Sequence, residues 1–238
     1  MRKIMMILLA LSLACIVAVG STMSYLTYTE ADVNIMTVGN VKITQLEQKR
    51  ENGVLVDFAN EIKLVPVTSI ATTPFPIGET SCELLDPAKN AVDKIVTVKN
   101  EGTEAVYVRT LIAFEMLNNG DGTWSNPLVD GNLKMNAKDV DETGVTFEKN
   151  GTQYALYVCT YGDPLVKDQT TAPSLLQVYL ASEETGEFYK GVGDKYDILT
   201  VSQAVQSAGF DTADAALNAA FGEINAGNAT TWFGGVSA

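Results

Sequence analysis

The chain has 238 residues, with 29 acidic side chains against 16 basic ones, no histidine and a formal charge of −13. That balance excludes nucleic acid, whose phosphates need Lys and Arg, and docking on an anionic membrane surface. The missing histidine removes the two-His helix of zinc peptidases and the usual Ser-His-Asp or Cys-His nucleophiles. Nothing marks out a working pair among the carboxylates, so the expectation is no enzyme, no catalytic residues, no metal and no cofactor.

Residues 1–24 read as a secretory signal peptide. Arg2 and Lys3 form the charged start, Ile4 to Val19 is apolar except for Ser12, and Gly20 to Ser24 is small and polar apart from Met23. The apolar run is shorter than the ~20 residues of a comfortable membrane span, so it reads as a leader that meets the membrane only before cleavage, with an uncleaved N-terminal anchor as the alternative. Thr22 and Ser24 suit a cut between Ser24 and Tyr25, and Val19 and Ser21 offer an earlier bond. Ser12-Leu13-Ala14 before Cys15 does not suit lipidation. Loss of the leader removes Arg2 and Lys3, leaving 14 basic residues and a net charge of −15. Such charge favours a soluble, self-repelling monomer at low salt.

The mature segment 25–48 is extended and β-prone. Tyr25, Leu26, Tyr28, Val33, Ile35 and Val38 are its candidate strand-donating residues. Such a segment gains main-chain hydrogen bonds by adding to an open sheet edge. Thr37 to Gln48 reads as a strand, and Leu55 and Phe58 lie in a short second run. Pro66 to Asn90 holds four prolines and reads as a long loop. Asp93 to Asn100 alternates, with Ile95, Thr97 and Lys99 opposite Lys94, Val96 and Val98. It is followed by the turn Asn100-Glu101-Gly102-Thr103 and a second strand from Ala105 to Met116, which together predict a hairpin. A second turn spans Asn118 to Trp124. Further strands run over 144–149, 153–159 and 174–180, the first two joined by Asn150-Gly151, a two-residue hairpin turn. Two short helices are predicted over 202–208 and 212–221, the second capped by Asp211 or Thr212. Thr230 to Phe233 is the expected last strand. The whole predicts an all-β sandwich over 49–238, with a small C-terminal helical addition near 202–224.

Outside the leader the cysteines are Cys82 and Cys159. They either form one disulfide outside the cell or remain two thiols, Cys159 packing in an apolar strand. Asn119, Asp121 and Asp130 offer oxygen ligands for calcium, though a tight turn accounts for them. Asn150-Gly151-Thr152 and Asn228-Ala229-Thr230 match the glycosylation pattern but read first as turn residues. Trp124, Trp232 and Phe233 are either sugar-stacking rings or core.

Tyr25-Leu26-Thr27-Tyr28-Thr29-Glu30, with Met36-Thr37-Val38-Gly39-Asn40-Val41-Lys42-Ile43, resembles the start of TasA and camelysin-like proteins. Residues 92–109 resemble that group's paired strands, and the segment from Asp197-Ile198-Leu199-Thr200-Val201 to Phe221-Gly222 resembles a segment of clostridial members. Tyr28 departs from the usual Asp, and Asn40-Val41 from the usual Thr-Leu. The resemblance implies cleavage by a SipW-type signal peptidase. It also implies a secreted or cell-surface location in a Gram-positive bacterium. The expected role is a jelly-roll subunit or accessory of an extracellular or biofilm matrix fibre. In such a fibre N-terminal strands link the copies head to tail, or link the protein to a related subunit. The alternatives are a monomeric surface module binding carbohydrate or host protein and, more remotely, a secreted peptidase of the kind some relatives are labelled as. The C-terminal end, Phe233 to Ala238, shows no wall-sorting motif.

Overall fold

A computed structural model describes residues 34–38, 41–58, 62, 64–77, 80–182, 187–192 and 196–234. The predicted signal peptide and the residues flanking its cleavage bond lie outside them.

The fold is an all-β sandwich with small helices added. The front sheet has the order β1 (Asn34–Val38), β14 (Ile198–Gln206), β7 (Val106–Glu115), β12 (Thr152–Leu165), β11 (Asp141–Lys149). The back sheet runs β10 (Leu133–Ala137), β13 (Leu175–Leu180), β6 (Val92–Asn100), β2 (Ile43–Glu51), β3 (Val54–Asp57). Two hairpins stand apart, β4 (Thr72–Ile77) with β5 (Thr80–Leu85), and β8 (Leu117–Asn118) with β9 (Trp124–Ser125). The chain steps from back to front sheet at β6–β7, β10–β11 and β13–β14.

Alternation along each strand decides what the layers share. Val106, Val108, Ile112 and Phe114 of β7 point inward to meet Ile43, Val92, Val96 and Val98 from the back sheet. Tyr107, Leu111 and Ala113 point outward and are covered by α2 (Ala213–Phe221) and α3 (Ala226–Trp232). β7 and β14 are therefore buried on both faces. Fully burying one Val, Leu, Ile or Phe stabilises by ~1.5–3 kcal/mol. Thr212 caps α2 by accepting from Ala215 N at 3.2 Å, and Gly222 ends it at φ 88°. A further short helix, α1 (Glu187–Val192), precedes β14.

Five expectations change. The strand expected over Thr37 to Gln48 is two, because the chain changes sheets between β1 and β2. β6 and β7 belong to different sheets and form no hairpin. Their connection is a corner, where Glu101 N and Gly102 N donate to Lys42 O and Asn100 Nδ2 donates to Leu165 O. The expected loop over 66–90 contains β4 and β5. Pro74 and Pro76 are tolerated there because a two-stranded sheet leaves one side of each strand unpaired. Residues 202–206, expected as helix, belong to β14. A strand covered on both faces carries an Ala- and Val-rich run regardless of helix propensity. The helical addition is instead α1, α2 and α3, so Thr230 to Trp232 end a helix and add no strand.

Candidate assembly edge

Only β1 completes the front sheet by parallel pairing among the described strands. Asn34, Ile35, Met36, Thr37 and Val38 lie opposite Val201, Ser202, Gln203, Ala204 and Val205. Parallel neighbours cannot be joined by a tight turn, and here they are far apart in sequence. β1 is tied to the rest of the fold through residues 39–42, which lead to β2 in the other sheet.

β14 is held from both sides by bonds that do not involve β1. Inside the sandwich, Ser202 Oγ donates to Gln45 Oε1 at 2.5 Å and Thr200 Oγ1 donates to Glu47 Oε1 at 2.5 Å. Gln45 Nε2 reaches both Thr200 Oγ1 at 2.9 Å and Glu47 Oε1 at 3.0 Å. Lys94, fully buried on β6, pairs with Glu47 Oε2. On the outer face Arg109, 1% exposed, donates from Nε to Gln203 Oε1 at 2.6 Å. Its other nitrogens reach Asn218 Oδ1 at 2.9 Å and Gly222 O at 3.2 Å, and the guanidinium lies 5.0 Å from the Trp232 ring. Burial pushes the Arg109 pKa down to about 10, against the pull of Asp214. Arg109 thus staples β14, α2 and the ring of α3 to β7. Where β14 begins, Asp197 N donates to Glu115 Oε2 at 2.8 Å. Burial pushes that carboxyl up to about 7. β14 is thus held by side-chain bonds on both faces in addition to its pairing with β1.

The opposite edge is built differently. β11 pairs with β12 through Asn150 and Gly151 at φ 52° and 83°. Phe147 points to the outer, helix-covered face and stacks on Tyr154 and Phe233 at 5.5 and 5.0 Å, while Asp141, Glu142 and Glu148 face solvent. Exposed charges along an edge discourage a further strand.

Of the residues expected to donate a strand, Ile35 and Val38 fall within β1. Tyr25, Leu26, Tyr28 and Val33, with the cleavage pair Ser24 and Tyr25, lie outside the described residues. No family model, curated protein or solved structure matches this chain.

Of the two cysteines read as either one disulfide or two thiols, Cys82 falls in β5 with its side chain outside the described residues, and Cys159 lies mid-β12 with a free thiol 3.8 Å from Lys138 O. Burial pushes that thiol up to about 11, which leaves it a poor nucleophile at neutral pH. It borders a cleft of about 360 Å³ with Lys138, Tyr161 and Thr171. Asp121 Oδ1 accepts from Thr123 N and Oγ1 at 2.9 and 2.6 Å, so this oxygen is committed to the turn. Among the described residues no three His, Cys, Asp or Glu side chains cluster to hold a metal. Trp232 and Phe233 are buried, and Trp124 is half-buried.

Gln45, Glu47, Lys94 and Arg109 do not stand out as site residues in the sequence. A usable signal was present for Lys94. Asp93 and Lys94 are charges at both phases of one apolar strand, a pattern that needs buried partners on both faces.

Proposed function

We propose that this protein is an exported structural subunit of an extracellular or biofilm matrix fibre, assembled by donation of its N-terminal strand. The carrying observation is the front-sheet edge. Its last strand comes from the N-terminal segment, runs parallel to β14, and lies on a strand held by side-chain bonds on both faces. The same five pairs formed with a neighbour's segment give a head-to-tail contact that repeats without closing. The resemblance of 25–43 to TasA and camelysin-like starts supports this reading. It adds cleavage before Tyr25 by a SipW-type peptidase and release to the surface of a Gram-positive bacterium. With cleavage at that bond, export and activation for assembly are one event. The role is non-enzymatic. A sugar-binding aromatic platform is the weaker reading, because Trp232 and Phe233 pack in the core.

The test compares the exported chain with one lacking residues 25–40, by N-terminal sequencing, negative-stain microscopy and sedimentation. The expected outcome is filaments from the exported protein and a folded monomer from the truncated one. A truncated chain that still polymerises overturns strand donation.

A further inference from the structure

We propose that Lys94 and Glu47 condense into a side-chain amide that covalently joins β6 to β2. Their side chains are 0% and 1% exposed, and Nζ contacts Oε2. The Phe58 ring lies 4.7 Å from Nζ and closes it in. Two donors already converge on the other carboxylate oxygen, Gln45 Nε2 at 3.0 Å and Thr200 Oγ1 at 2.5 Å from Oε1. Nucleophile, electrophile and oxyanion donors are therefore held together in a site closed to water, which replaces a bimolecular encounter by an internal one.

The step needs no co-reactant. One proton passes from the Nζ ammonium to Oε2, leaving a neutral amine and a neutral carboxyl. The amine lone pair attacks Cδ, forming the C–N bond, while charge collects on Oε1 against Gln45 and Thr200. A second proton moves from nitrogen to Oε2, the C–Oε2 bond breaks, and water leaves. No atom changes oxidation state. The product is a neutral amide in place of two charges whose burial carries a desolvation cost. Three other ion pairs lack one requirement. Lys42–Glu101 and Lys49–Glu51 keep their lysines 71% and 22% exposed to water, and Arg50–Asp93 offers a guanidinium in place of an amine.

The test is the intact mass of the purified, denatured full chain, followed by tryptic mapping. The expected mass is one water below that of the sequence. The expected map joins peptide 43–49 to peptide 90–99, uncut after Lys94, and the separate peptides are lost. Lys94→Met restores the unmodified mass. If that variant fails to fold, the map of the unsubstituted chain decides alone. Full mass with free peptides overturns the proposal. Loss of ammonia with a Gln45–Lys94 link overturns the assignment to Glu47.

Discussion

The two edges of the front sheet are built on opposite principles. The β11 edge is local. A two-residue turn sets its register, Phe147 anchors it in a stack of three rings, and its outer row carries carboxylates. The β1 edge is non-local and parallel, added to a strand pinned by Arg109 on one face and Gln45 on the other. A hairpin edge is formed by folding itself, whereas an edge filled by a strand remote in sequence can be filled by the same strand of a neighbour. Changes at β11 should therefore register in stability, and changes at β1 in assembly.

The largest expected stability effect is Phe147→Ala, which empties a core stack and should lower the unfolding free energy by ~3–5 kcal/mol in urea titration. Arg109→Met removes the guanidinium bonds to Gln203 Oε1, Asn218 Oδ1 and Gly222 O and should cost roughly 1–3 kcal/mol. Hydrogen exchange of α2 and β14 should rise with it. Glu115 should give a smaller, pH-dependent effect. Its folded pKa of about 7 lies above its ordinary 4.5, so the folded state holds the proton longer than the unfolded one. The stability it contributes is complete below pH 4.5 and lost as pH rises through 7. Urea midpoints should fall across that window, and Glu115→Gln should flatten the fall. Gly151→Ala, at φ 83°, should cost about 1 kcal/mol in the same titration. Met36→Pro in β1 should shift the midpoint by less than ~0.5 kcal/mol while removing filaments. A large loss of stability there would equate the two edges and remove the distinction.

The β11 edge was readable because its determinants are local: Asn150-Gly151 dictates the turn, and the flanking strands follow. The capped helix after Thr212 was readable for the same reason. β14 was not, because its run from Ser202 to Ala204 carries helix-compatible residues. Only its place between β1 and β7 makes it a strand. The β6–β7 connection misled for a related reason. Its turn residues suit a hairpin or a corner equally, and the choice lies with Lys42 and Leu165, distant in sequence. The segment proposed to donate a strand is legible as an export-flanking motif. The fixity of its acceptor rests on Arg109, Gln203, Gln45 and Ser202, which only folding brings together.

The short link between β1 and β2 has a mechanical consequence. In a filament joined through β1, tension enters each subunit through that link and loads the strand pairs lengthwise. They must then yield together, whereas peeling would open them one by one. The pull passes next into β2, four residues before Glu47, where the back sheet meets it at Lys94.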